Sequence, residues 1–195
     1  MTRIAEVSTL VSMTAFGCLK NSGYDAVIMR CYRPEGATDR NCAASVANAW
    51  NAGMGHVDVS VALTAETDVT AASSVSGYIA DNSVKYGMVW LDVQPKARWK
   101  DEQADNRRAF TDVLKAFTDA GLSLGVCATA GEWSQIFGDD FTAAARLPLL
   151  YRDPDGLPNF AGFTKFGGWT RPRLKAYNEN LARCGVQLNS VVDPS

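Results

Sequence analysis

The amino-acid sequence predicts an α/β protein with a parallel sheet, organised as one domain over residues 1–195. One junction, a helix end followed by Gly and then a buried strand, occurs three times, in LKNSGYDAVIM, AWNAGMGHVDV and AFTDAGLSLGV. Gly takes the left-handed conformation that ends a helix, so each junction is typical of a β/α unit. No GxGxxG or GxxxxGK[ST] motif follows the first predicted strand, which disfavours a nucleotide-binding doubly wound sheet and favours a barrel.

The periodicity of apolar residues gives the expected order of elements. Apolar runs predict strands, and apolar residues three or four positions apart predict helices. After Phe160 the helical signal fades. The predicted strands are 4–8, 24–32, 55–63, 88–94, 122–128, 146–151, 165–169, 173–178 and 185–192, and the predicted helices are 11–22, 39–53, 66–81, 105–121 and 131–137.

Composition excludes several classes of function. The net charge of −2 gives no reason to expect nucleic acid or an anionic membrane as a partner. No apolar run approaches the roughly 20 residues that a membrane span needs. The first residues, MTRIAEVSTLVSM, lack the apolar core of a signal peptide, so we expect an intracellular protein or a mature start after a removed leader. The five cysteines have no metal-type spacing, and neither a metal nor a cofactor is predicted.

The most informative stretch is Tyr86–Trp99, YGMVWLDVQPKARW. Its apolar run suits a strand covered on both faces, and Pro95 stops it. Alternate residues of a strand point to the same side, so Asp92 and Gln94 share a face where the strand meets a loop. In a β/α barrel this rim is where catalytic residues lie. The sequence therefore predicts a site here, although a carboxylate beside a carboxamide is an unusual pair.

Several long segments of the chain are distinctive: FGCLKNSGYDAVIMRCY, the loop GATD at 36–39, NAGMGHVDV, VKYGMVWLDVQ, WSQIFG, LPLLY and FGGWTRPRLKAYN. These segments resemble glycoside hydrolase family 25, the lysozymes that cleave β-1,4 bonds of peptidoglycan next to N-acetylmuramic acid. The chain is most similar to the short eukaryotic branch of that family. The resemblance implies an irregular, TIM-like β/α barrel with fewer helices in its C-terminal part.

The resemblance implies that three of the family's four acidic positions are changed in this chain. The resemblance places Glu6 where the family has Asp, and Asp92 is retained. Gln94 stands at the position of the Glu in the family's Asp-x-Glu pair, and Gln187 at the Asp of its Val-Asp-x-Asn pattern, which ends here on Asn189. Glycoside hydrolysis needs a proton delivered to the leaving oxygen, and a carboxamide cannot transfer one. The resemblance therefore implies a lysozyme fold with degenerate catalytic acids.

Three functions follow from this comparison. The first is an inactive lysozyme that binds a β-1,4 N-acetylglucosamine-type glycan, peptidoglycan or chitin-like, through Gln94, Gln187, Asn189 and Trp99. The second is a barrel reused as a structural or assembly protein that associates with itself. The third is an active N-acetylmuramidase that uses Asp92 with Glu6 as its catalytic pair. The first two predict that the chain is not an enzyme.

Other residues receive simpler interpretations. Trp99, in the loop after Asp92, is the best candidate to stack on a sugar. The family branch also carries cysteines in the segments of Cys18 and Cys184, so the resemblance implies that these two can pair and tie the first helix to the last strand. Such a bond would indicate a secreted or vesicular protein. The other cysteines, Cys31, Cys42 and Cys127, are interpreted as small buried residues.

Overall fold

Eight strands close into a β-barrel, with helices on its outside, in the computed structural model, which describes residues 1–194. The strand order around the barrel is β1-β9-β8-β7-β6-β5-β4-β2, and β2 pairs with β1 to close the circle. Ser195, the last residue of the predicted domain, lies outside the described range. The elements are β1 (Thr2–Val7), α1 (Met13–Asn21), β2 (Ala26–Arg33), β3 (Ala37–Thr38), α2 (Cys42–Asn51), β4 (His56–Leu63), α3 (Thr70–Asp81), β5 (Val89–Val93), a 3-10 turn (Lys96–Arg98), α4 (Gln103–Asp119), β6 (Leu124–Ala128), α5 (Ala130–Phe137), β7 (Leu149–Arg152), β8 (Leu174–Arg183) and β9 (Val186–Asp193).

The predicted β/α barrel is confirmed, and the three repeated junctions build much of it. Gly23 follows α1, Gly53 follows α2 and Gly121 follows α4, with φ angles of 87°, 81° and 73°. A residue with a Cβ is strained in this region, so glycine allows each helix to end sharply before the next strand. Seven of the barrel strands, β1, β2, β4, β5, β6, β7 and β8, pair in parallel with one another, whereas the short β3 pairs antiparallel with β2.

The C-terminal part departs from the regular alternation of strands and helices, as expected. No helix follows α5 in the described residues. Instead β8 and β9 form an antiparallel hairpin, and β9 pairs antiparallel with β1. The predicted strand at 165–169 is wrong: Phe166 and Trp169 form only an isolated bridge across Gly167 and Gly168. Both glycines have positive φ angles, so the backbone turns there rather than extending.

Two predicted helix starts are also corrected. The helix expected from Asp39 begins at Cys42. Asp39 Oδ2 accepts from Arg30, and Oδ1 accepts from the backbone N–H of Asn41, the residue before the helix. The helix expected from Asp105 begins at Gln103, and Asp105 lies in its first turn. A carboxylate there still interacts favourably with the positive end of the helix dipole.

The interior of the barrel is filled by side chains in two layers, which positions the candidate site. Because side chains alternate along a strand, every second residue points into the lumen. An apolar layer includes Ile4, Trp90 and Leu150. Two residues further along the same strands come Glu6, Asp92 and Arg152, which form a polar layer at the carboxyl end of the barrel.

Candidate functional site at the barrel rim

Arg152 is the centre of the polar layer. Its Nη1 and Nη2 atoms donate to the two carboxylate oxygens of Glu6 over 2.9 and 2.6 Å. Nη2 and Nε also donate to Asp92 Oδ1, over 3.2 and 3.4 Å. The side chains of Arg152, Glu6 and Asp92 are only 13%, 10% and 16% exposed. One cation therefore holds both carboxylates that sequence analysis selected as a catalytic pair.

The electrostatic environment shifts the pKa values of the two carboxylates in opposite directions. Burial raises the pKa of Glu6, but the Arg152 charge and hydrogen bonds from Arg152 and Asn189 outweigh it, so the pKa lies below its ordinary value. Burial also raises the pKa of Asp92. The Arg152 charge opposes this and the Glu6 charge adds to it, and the pKa of Asp92 lies above its ordinary value. The Arg152 pKa is raised by its acidic neighbours, so this side chain stays charged.

Gln94 contacts Asp92 directly, as expected from their shared face. The Gln94 Nε2 atom donates to Asp92 Oδ2 over 2.8 Å. Cys127 lies opposite Asp92 on the neighbouring strand β6, and its buried thiol lowers the pKa of this carboxylate. Burial raises the pKa of Cys127 well above its ordinary value, so the thiol keeps its proton. Both oxygens of Asp92 therefore receive hydrogen bonds from the protein.

The two amide positions of β9 have different surroundings. The Asn189 Nδ2 atom donates to Glu6 Oε2 over 2.9 Å, and Asn189 Oδ1 accepts from the backbone N–H of Asn180 over 3.0 Å. Asn189 thus holds Glu6 in place. Gln187 is exposed and lines the same pocket.

A pocket of about 220 Å³ opens over these side chains. Apart from the acids, Arg152 and the amides, its walls carry Ser8, Arg30 and Asn180. None of the lining side chains is aromatic within the described range 1–194. That range also contains no group of three or more His, Cys, Asp or Glu residues placed to hold a metal ion. The pocket therefore presents mainly hydrogen-bonding groups, with some apolar surface from Val7, Pro34, Ala62 and Leu188.

The prediction that Trp99 faces a glycan is wrong. Trp99 is 8% exposed and packs edge-on against Phe137, with 5.1 Å between ring centroids. Its Nε1 atom donates to the backbone oxygen of Gln94 over 2.9 Å. The indole therefore fixes the loop after β5 from inside, and the 3-10 turn that follows Pro95 places it there.

The cysteines form two disulfides. One bond joins Cys18 to Cys184 and connects α1 with the turn between β8 and β9. Cys31 and Cys42 are buried as expected, but they are not separate small residues, because they form the second bond. It ties the end of β2 to the start of α2. Cys127 is buried and free.

Arg152 is the functional residue that sequence analysis missed. A signal for it exists: Leu150 lies on the predicted strand LPLLY, and the residue two positions later must point to the same side. The strand pattern does not reveal the partner of Arg152, because Glu6 lies 146 residues away in the sequence.

The acidic and amide side chains thus lie at the carboxyl ends of the strands, where β/α-barrel proteins carry their functional residues. A family model described as "Lysozyme-like protein 1" matches residues 1–177. The chain is 33% identical over 183 residues to the probable GH family 25 lysozyme 2 of Dictyostelium discoideum, covering 93% of this chain and 85% of that protein. This chain therefore belongs to the lysozyme-like proteins of glycoside hydrolase family 25.

Two further comparisons describe the range of this similarity. The chain is 27% identical over 192 residues to Counting factor 50 of Dictyostelium discoideum, covering 95% of this chain and 63% of that protein. Its fold matches the muramidase from Acremonium alcalophilum with a TM-score of 0.77 and 15% identity, covering 100% of this chain and 94% of that one. In addition, no helix in the described part of the chain is long and apolar enough to cross a membrane.

Proposed function

We propose that this chain is a lysozyme-like protein that no longer hydrolyses glycosidic bonds. The observation that carries the proposal is the contact of Arg152 with both Glu6 and Asp92. A nucleophilic or basic carboxylate must approach the substrate with a free oxygen. Here the guanidinium occupies both oxygens of Glu6 and one of Asp92.

The missing proton donor supports the same conclusion. Gln94 stands where the family pattern has Glu, and its amide donates a hydrogen bond to Asp92 without a proton that it can transfer. A general acid typically accelerates such a reaction by about 10²–10⁴-fold. Because the pKa of Glu6 is lowered, Glu6 is ionised at neutral pH and does not supply the proton either.

The raised pKa of Asp92 is the one feature that favours the active alternative, in which Asp92 and Glu6 act together. A protonated Asp92 would serve as an acid while Glu6 remained ionised. However, Arg152 occupies Asp92 Oδ1 and the Gln94 amide occupies Oδ2, so neither oxygen is free to direct a proton at a substrate. We therefore place the active muramidase second to the inactive protein.

We infer that the rim pocket binds a β-1,4-linked N-acetylglucosamine-type glycan. Exposed Gln187 and Asn180, together with Gln94, present amide groups that can bond to sugar hydroxyl and acetamido groups. The volume of about 220 Å³ is below the roughly 300–1,000 Å³ of drug-sized sites, so we expect one sugar unit to enter at a time.

A second candidate function is a structural or assembly role for the barrel. It is favoured by the lack of aromatic side chains in the pocket lining of the described residues, since such rings usually support sugar binding. The relationship to Counting factor 50 shows that relatives of this chain are not all named as lysozymes. The two disulfides support folding in an oxidising compartment under either candidate.

Cosedimentation with insoluble peptidoglycan and with chitin separates the two candidates. We expect the chain to bind at least one of them, and Gln187→Ala to weaken this binding several-fold. Gln135→Ala, at an exposed glutamine of α5, is the matched control and should bind normally. Light scattering on the same samples measures self-association. An oligomer that binds neither polymer would contradict the glycan proposal and support assembly.

A further inference from the structure

A second groove lies at the end of the barrel opposite the rim pocket. It runs between residues 145–149, which precede and begin β7, and residues 168–173, which precede β8. We call it the basal groove. Its volume of about 580 Å³ falls within the roughly 300–1,000 Å³ typical of small-molecule sites. The acids and amides of the rim pocket are not among its lining residues.

Positive charge is concentrated in this groove. Arg146, Arg171 and Arg173 all line it, and Asp193 is its one acidic lining residue in the described range. Asp193 is engaged by Arg173, with 2.8 Å between Nη2 and Oδ2. Arg146 and Arg171 are exposed and form no ion pair with any residue from 1 to 194. The whole chain has a net charge of −2, so this concentration is local and does not follow from its composition.

The two segments that carry the arginines are fixed to each other. The Trp169 Nε1 atom donates to the backbone oxygen of Leu147 over 2.9 Å, and the Arg173 N–H donates to the backbone oxygen of Leu149 over 2.8 Å. Gly168 packs so closely that a Cβ there would lie 2.7 Å from the Ala145 Cβ. The backbones that carry these guanidinium groups therefore have a fixed separation. The backbone of such a site loses little conformational entropy when a ligand binds.

We propose that the basal groove binds an organic phosphate, a phosphate ester carried on an apolar or ring-shaped body. Guanidinium groups match phosphate oxygens through paired hydrogen bonds, and several arginines around one anion are typical of phosphate sites. The remaining walls include Leu147, Pro148, Phe160 and Pro172, which offer apolar surface to the rest of the ligand. The groove thus has a cationic part for the phosphate and an apolar part for the body of the ester.

Calorimetric titration with phenyl phosphate at low ionic strength tests the proposal, with inorganic phosphate and benzyl alcohol as partial probes. We expect phenyl phosphate to bind more tightly than either. Arg146→Gln and Arg171→Gln should each weaken its binding by about tenfold, because each removes a charge-assisted hydrogen bond. The matched control is Arg108→Gln, at an exposed arginine of α4 outside the groove, which should stay within about twofold of the natural chain.

Three results would overturn the proposal. One is that phenyl phosphate gives no binding heat at concentrations up to about 20 mM. Any affinity would then be weaker than that of ordinary specific binding. Another is an equal loss in Arg108→Gln, which would indicate general charge attraction. The last is equal affinity for inorganic phosphate, which would exclude a contribution from the apolar walls. Far-ultraviolet circular dichroism and thermal unfolding of each variant show that it is folded before it is titrated.

Discussion

The Arg152 guanidinium holds the Glu6 carboxylate through two parallel hydrogen bonds of 2.9 and 2.6 Å inside the mouth of the barrel. This bidentate contact joins β7 to β1, two strands that are not neighbours in the sheet. It also brings a fixed positive charge to Asp92. The same contact therefore explains both the cohesion of the polar layer and the loss of free carboxylate oxygens.

Replacing Arg152 should destabilise the fold strongly. Arg152→Ala leaves Glu6 and Asp92 buried without their cation, and breaking a buried ion pair in this way costs about 3–5 kcal/mol. Urea unfolding measures the difference. Arg108→Ala, at an exposed arginine of α4, is the control and should change the free energy of unfolding by less than about 0.5 kcal/mol. A similar, small effect of both changes would show that the network is not stabilising.

The two carboxylates should affect the pH dependence of stability with opposite signs. The pKa of Glu6 is lowered from 4.5, so its contribution is present above about pH 4.5 and is lost as the pH falls through the folded-state value. The pKa of Asp92 is raised from 3.8, so its contribution is present below about pH 3.8 and is lost as the pH rises through the folded-state value.

Unfolding of the natural chain and of Glu6→Gln between about pH 3 and 7 tests the first sign. The natural chain should exceed Glu6→Gln in stability by more at neutral pH than at acid pH, because only ionised Glu6 pairs with Arg152. For Asp92→Asn, the titration of Asp92 should make the stability advantage of the natural chain smaller at neutral pH than at acid pH. A difference for Glu6→Gln that grows as the pH falls would contradict the assigned ion pair.

The two disulfides should differ in their contributions to stability. Cys18–Cys184 closes a sequence separation of 166 residues, whereas Cys31–Cys42 closes one of 11. The chain-entropy model gives about 5 kcal/mol for the longer loop and about 3 kcal/mol for the shorter. Thermal unfolding of Cys18→Ser/Cys184→Ser and of Cys31→Ser/Cys42→Ser compares them. A larger loss in the second variant would show that local packing, rather than loop length, determines the effect.

Local sequence predicted much of the architecture because the relevant signals are local. Glycines at Gly23, Gly53 and Gly121 mark helix ends through backbone geometry alone. The prediction of a strand at 165–169 was wrong. Phe166 and Trp169 are residues typical of strands, but the two glycines between them turn the chain. Apolar residues near a tight turn can pack inward without any strand pairing.

The site was only partly predictable for a different reason. Gln94 directly follows β5 and lies two positions after Asp92, so their contact follows from the alternation of side chains at the strand end. The partner of Glu6 depends on how the barrel closes, which brings Arg152 from a distant strand. The prediction for Trp99 was wrong because a loop position does not reveal whether a ring faces solvent or the core. In the structure the ring packs against Phe137.

The most direct test of the central claim is a turbidity assay of bacterial cell-wall lysis, run at mildly acidic and neutral pH. It compares the natural chain with Asp92→Asn and with Gln94→Glu, which introduces the acid that the family resemblance implies at this position. The claim that catalysis is lost predicts no clearing by the natural chain above that of buffer. Clearing by the natural chain that Asp92→Asn abolishes would contradict it and establish an active muramidase.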